Sequence, residues 1–112
     1  MHLFEKEFDS ILEKARSAKH PVRVVVAGAT AENIVKAVFE AEAEGFVTPV
    51  LVGREKKVYP LLEKLGYDKR NFQFCDVPKY ENVVQHAIDV LNMGMGDVLM
   101  SGDTSTRDFL LP

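Results

Sequence analysis

The 112 residues suffice for one domain and not for two, so any site must come from a single core or be shared with something outside it. Apolar residues make up 46% and charged residues 28%, the proportions of an ordinary globular domain, and a net charge of −3 with no basic block excludes a footprint for a nucleic-acid backbone. No run approaches the roughly 18 apolar residues of a membrane span, and the N-terminus lacks the order of a secretory signal, so the expected location is cytoplasmic, with neither membrane nor nucleic acid as a partner.

Leu3, Phe4, Phe8, Ile11, Leu12 and Ala15 recur at helical spacing opposite Glu5, Lys6, Asp9, Glu13 and Lys14. They predict an amphipathic N-terminal helix over residues 1–20, closed by Pro21, because a residue before proline is pushed out of the helical region. The run VRVVVAGA that follows is β-branched and continuous, the pattern of a strand buried on both faces. After a turn at 28–30, Thr30 is placed to cap a helix whose apolar face is Ile34, Val35, Val38, Phe39 and Ala41, with Gly45 as its stop. TPVLVG predicts a second strand, and REKKVYPLLEKLG a second helix that Pro60 should delay to about Tyr59 or break there. NFQFCDV predicts a third strand, and YENVVQHAIDVLNMG a third helix with Val83, Val84, Ala87, Ile88 and Leu91 inward. GDVLMSG supplies a fourth strand, after which a further helix begins. This alternation predicts an α/β fold of three layers, a parallel sheet with helices on both faces, over residues 21–112. Ligands of such sheets sit beyond the carboxyl ends of the strands, which points to the loops at 28–30, 53–55 and 101–106.

The last of these loops reads SGDTST, with Gly102 for close backbone approach and the hydroxyls of Ser101, Thr104, Ser105 and Thr106 at the start of a helix. Two readings stay open: an anion site of neutral donors, which Arg107 would assist and Asp103 oppose, or a plain cap in which Asp103, Ser105 or Thr106 closes the helix. The first turn, AGATAEN, has one of the three glycines of a dinucleotide fingerprint, and Gly53-Arg54 stands where an acid should follow the second strand, so a plain turn is favoured. Cys75 is the only cysteine; this removes any internal disulfide, and its neighbours Phe72, Phe74 and Val77 predict an inert strand residue. The three histidines are unclustered, so no metal site is expected, and His86 shares a polar helix face with Asn82 and Asp89. Met93 and Met95 should cover the start of the fourth strand. No catalytic Ser-His-Asp, Cys-His or paired-carboxylate arrangement can be assigned.

From VRVVVAGATAENIVKAVFEAEAEGFVTPVLVG to GDVLMSGDTSTRDFLL, about residues 22–111, the chain resembles the N-terminal part of the phosphate acetyltransferase and phosphate butyryltransferase family. The resemblance implies a fold similar to isocitrate and isopropylmalate dehydrogenases, present here as an incomplete first domain, with the active site in a cleft between two α/β domains. It implies acyl transfer between coenzyme A and phosphate, with acyl-CoA, coenzyme A, phosphate and acyl phosphate as substrates or products, no tightly bound cofactor, and assembly as a homo-oligomer. It carries a phosphate-side role to Gly102 and Thr106 by direct match, to Ser101 by position, and to Thr104 and Ser105 by hydroxyl chemistry. Where the family loop reads Lys-Gly this chain has Ser101-Gly102, so a cation is missing. The serine, arginine and aspartate held responsible for catalysis in the family lie in a later part that this chain lacks. The chain alone is therefore expected to be inactive; the rival expectation is a non-catalytic module that binds a phosphorylated metabolite.

Overall fold

The computed structural model describes residues 13, 20–79 and 82–102. The expected N-terminal helix, apart from Glu13 and His20, and the expected last helix lie outside them.

β1, Val22–Ala27, is buried at every position except Arg23. Successive side chains of a strand alternate between faces, so Val22, Val24 and Val26 enter one apolar cluster while Val25 and Ala27 enter the other. A strand clothed on both sides reads as a continuous apolar run, which is why VRVVVA announces itself in the sequence. β2, Val47–Gly53, lies parallel to β1 with Val22 opposite Val47 and Ala27 opposite Val52. β3, Gln73–Asp76, runs parallel to β2, and β4, Val98–Ser101, runs parallel to β1 on its other side. The sheet order is β3-β2-β1-β4.

Pro49 sits inside β2 without breaking a ladder. The N–H of Val22 donates to Phe46 O and that of Gly28 to Val52 O, so the even-numbered residues of β2 turn their peptide groups toward β1. Pro49 therefore faces the β3 side, where pairing starts only one residue later at Val50 opposite Gln73.

Helices α1, Glu32–Ala43, and α2, Glu55–Leu65, cover one face of the sheet. Ile34, Val35, Val38 and Phe39 of α1, with Val58 and Leu62 of α2, close over Val24, Val26, Leu51 and Met100. Phe39 is fully buried; Tyr67 stacks on it at 4.6 Å between ring centroids and Phe72 meets it edge-on at 5.7 Å, closing the layer toward β3. Helix α3, Val83–Asn92, covers the opposite face with Val83, Ala87 and Val90 against Val25, Val50 and Val52. The fold is the expected three-layer α/β arrangement.

Local expectations fail at four places. Helix α2 starts at Glu55 and runs through Pro60. Pro60 is exposed, as is Lys56, whose carbonyl loses its helical partner on the solvent side; burial of Val58 and Leu62 and an external cap from Asp76 hold the first turn in place. Helix α1 has Ala31 rather than Thr30 at its N-cap, and no side chain among the described residues caps it. On α3, Val90 is buried while Val84, Ile88 and Leu91 are only half-buried. Met93 and Met95 do not cover the start of β4: they are 66% and 45% exposed. Gly96, just before β4, instead packs against β1, so close to Val25 that an added Cβ would overlap Val25 Cγ2.

Candidate functional site at the carboxyl end of the sheet

The strand order creates one place where neighbouring strands depart in opposite directions. From β1 the chain passes to β2 and β3 over the face carrying α1 and α2; from β3 it returns over the α3 face to β4, on the far side of β1. The crevice between the carboxyl ends of β1 and β4 is thus a topological switch point, where ligands of open α/β sheets bind. It is formed by the 28–31 turn and by Ser101 and Gly102, which brings together two of the three loops read from the sequence.

The two segments are joined by backbone hydrogen bonds. Gly102 N–H donates to Ala27 O at 2.8 Å, extending the ladder past Ser101. Gly102 O then accepts from Thr30 N–H at 3.0 Å and from Ala31 N–H at 2.9 Å. Ala31 is the N-cap of α1 and Thr30 the residue before it, so the carbonyl of Gly102 satisfies the N-cap amide and ties the end of β4 to the start of α1. Close approach requires glycine on both sides. Gly28 turns the chain with φ 70°, and a Cβ on Gly102 would overlap Val26 Cγ1 and stand 3.0 Å from Ala29 Cα. The AGATAEN turn is thus occupied by protein, and the dinucleotide reading has no phosphate cradle to use there.

Ser101 is buried, 8% exposed, at the end of β4 opposite Ala27. By strand alternation it falls on the α3 side, because Met100 before it belongs to the α1–α2 side. Thr104, Ser105 and Thr106, with Asp103 and Arg107, lie outside the described residues. The structure therefore places Ser101 and Gly102 of the predicted set at the crevice.

The third loop forms a separate groove of about 210 Å³ lined by Arg54, Glu55, Lys56, Asp76 and Pro78. Asp76 Oδ1 accepts from the Glu55 N–H at 3.0 Å, so a carboxylate from β3 caps α2 where Arg54 holds the N-cap position with a side chain that cannot accept. This role of Asp76 was missed from sequence; the available signal was an acid at the end of a strand adjacent to β2 in a parallel sheet. Two cations and two carboxylates line the groove, which gives it no preference for an anion.

Several ion pairs lie away from both places. The Arg23 backbone N–H at 2.8 Å, and then its guanidinium at 3.3 Å, hold the Asp97 carboxyl below its ordinary value and tie the start of β4 to β1. Glu32 is likewise held low by hydrogen bonds from Lys36 and Lys64, linking α1 to α2. Cys75 is a free, half-buried thiol on β3, and His86 is exposed. Among the described residues no group of three or more His, Cys, Asp or Glu could hold a metal ion, and no helix is long and apolar enough to cross a membrane.

Known proteins give this crevice a context. Over 105 residues, 94% of its length, the chain is 30% identical to a phosphate butyryltransferase of Clostridium acetobutylicum, and over 102 residues it is 29% identical to a phosphate acetyltransferase of Thermotoga maritima. The chain resembles the phosphate acyltransferases. It spans about a third of the length of these relatives, 35% and 34% respectively. Its fold is similar to that of a phosphotransacetylase from Streptococcus pyogenes, with a TM-score of 0.61 at 20% identity over 93% of this chain and 40% of that one. No family model matches the chain. The likeness to phosphate acyltransferases read from the opening strand, the return to β2 and the SGDTST segment thus extends over nearly the whole chain, and the α/β fold agrees with it.

Proposed function

We propose that this chain supplies the phosphate-facing wall of a phosphate acyltransferase site, for the reaction of acyl-CoA with phosphate to give acyl phosphate and coenzyme A, of acetyl or butyryl type. The observation that carries the reading is the placement of Ser101-Gly102 beside the β1 turn at the switch point of the sheet, in a chain whose curated relatives are phosphate acetyl- and butyryltransferases. In the proposed reaction a phosphate oxygen attacks the thioester carbonyl, the C–S bond breaks, and coenzyme A leaves as thiolate. The wall's part is to hold phosphate in line and to offset the charge on its oxygens. Ser101, Thr104, Ser105 and Thr106 do this with neutral hydroxyl donors, and Gly102, whose own N–H is taken by Ala27 O, allows close backbone approach. Acyl-CoA and phosphate are the partners, and no tightly bound cofactor takes part.

No residue of this chain is assigned the catalytic roles, and the chain on its own does not turn over. The test is release of free thiol from acetyl- or butyryl-CoA with phosphate, followed with a thiol reagent: no rate above the uncatalysed background is expected. Steady turnover at rates typical of enzymes, about 1–1000 per second, would show that a complete site is present. We infer a homo-oligomer as well, since β4 pairs on one side only among the described residues and Leu91 and Leu99 are half-buried beside it.

A further inference from the structure

We propose that β3 is a docking edge for a second copy of this chain, whose own β3 lies antiparallel to it about a two-fold axis at Phe74. The inference rests on the homo-oligomer argued above from β4 and goes beyond it by naming the other edge of the sheet, the partner and the register. It makes no use of the phosphate-facing loop.

The N–H and C=O of successive strand residues point to alternate sides, and the Val77 N–H donates to Gly53 O of β2 at 2.8 Å. Gln73 and Cys75 share that side and face β2, along which β3 pairs from Val50 opposite Gln73 to Gly53 opposite Asp76. Phe72, Phe74 and Asp76 therefore turn their peptide groups outward, and among the described residues nothing pairs with them. These positions are symmetric about Phe74. An identical strand laid antiparallel with Phe74 opposite Phe74 sets Phe72 against Asp76 and Asp76 against Phe72, so each outward donor meets an outward acceptor. Moving the axis to Cys75 would set Phe72 against Pro78, which has no N–H, and lose part of this match. The side chains favour the same register. Phe72 and Phe74 are half-buried on the α1–α2 face, with Tyr59 against them at 6.2 and 5.1 Å between ring centroids. Pairing places Phe74 beside Phe74 and covers this aromatic rim, which adds side-chain contact to the main-chain bonds of an added strand. Nor is the edge guarded: β3 contains neither lysine nor proline, and its single charge, Asp76, is engaged by the Glu55 N–H.

On the other face the register sets Gln73 against Cys75 of the second copy. They form a non-hydrogen-bonded pair, about 4.5 Å between Cα atoms, within the reach of a disulfide. The test is Gln73→Cys in the 112-residue chain, treated with oxidised glutathione, which accepts the electrons and protons of the joining thiols, and run on a non-reducing gel. A covalent dimer is expected. Wild type, whose Cys75 thiols are not opposite each other, and Gln73→Cys combined with Cys75→Ser are expected to stay monomeric on the gel. Phe74→Lys opposes two cations at the axis and is expected to lower the sedimentation coefficient at the same concentration, with urea unfolding as the check on its fold; if it does not fold, the cross-link decides. Cross-linking of wild type through Cys75 overturns the register. A dimer in solution that Gln73→Cys does not trap and Phe74→Lys does not weaken overturns this edge and leaves the assembly argued from β4. A chain that is monomeric at every concentration and is not trapped overturns both.

Discussion

Gly96 is the residue that lets β4 start where it does, and a double-mutant cycle tests that role. Its φ is not in the left-handed region, so alanine there carries no backbone strain and its cost is steric. The added Cβ would overlap Val25 Cγ2, while Val25 Cβ and Arg23 O would stand at ordinary distances of 3.6 and 3.7 Å. Val25 is fully buried under α3, so its side chain has no room to swing aside. Overpacking of this kind costs about 2 kcal/mol. Val25→Ala removes two methyl groups at roughly 0.8 kcal/mol each and leaves a small void, also about 2 kcal/mol in all. Independent effects would sum to about 4 kcal/mol in the double variant. The geometry predicts otherwise: with Val25 shortened, the new methyl at 96 fills the vacated space, and the double variant loses only about 2 kcal/mol, a coupling of about 2 kcal/mol. Urea unfolding followed by circular dichroism at 222 nm gives the four stabilities, with equal slopes as the check on two-state behaviour. Additivity to within about 0.5 kcal/mol would refute the contact.

Three further outcomes follow from particular contacts. Asp97 has its folded pKa depressed below 3.8 by Arg23, so its contribution is present above that value and is lost as pH falls through the lower folded one; Asp97→Asn should flatten the acid limb of a stability profile below pH 3.8, and an unchanged limb would show the pair to be inert. Removing the α2 cap with Asp76→Ala should cost about 1 kcal/mol in the same unfolding assay, and Asp76→Asn, which keeps an acceptor for Glu55 N–H, less than half of that; equal losses would assign the effect to charge rather than capping. Sedimentation velocity from micromolar to sub-millimolar concentration should show a dimer or larger species, and a monomer across that range would remove the assembly from the proposal.

Much of the fold was legible because it is local. The two-faced burial of VRVVVA, the left-handed Gly45 that ends α1 at φ 82°, and the inward Ile34, Val35, Val38 and Phe39 are consequences of period and turn chemistry that sequence displays directly. Misreadings arose where a distant partner outweighed a local preference. Pro60 should have delayed α2, but Asp76, twenty-one residues after Glu55, holds the first turn. Thr30 should have capped α1, but its hydroxyl donates back to Gly28 O while its N–H and that of Ala31 bind Gly102 O, and the helix starts one residue later. Val90 is buried while Leu91 only packs half-buried against the same cluster, because contact with β1 and β2 decides which edge of the apolar stripe is covered most deeply, and periodicity leaves that edge open.

The candidate site divides in the same way. Its residue types, a glycine among hydroxyls after an apolar strand, are a property of the sequence, as is the likeness to phosphate acyltransferases, which depends only on order and spacing. That Ser101-Gly102 stands beside the β1 turn is a property of the sheet order, since parallel neighbours are joined by long crossovers and each β4 residue lies 74 residues from its partner in β1. The chain by itself therefore determined the strands, the helices and the chemistry carried by the loop. Only the tertiary structure decided that the carbonyl of Gly102 binds the start of α1, because that contact is chosen by which strands pair and which face each helix covers, and no local pattern encodes either.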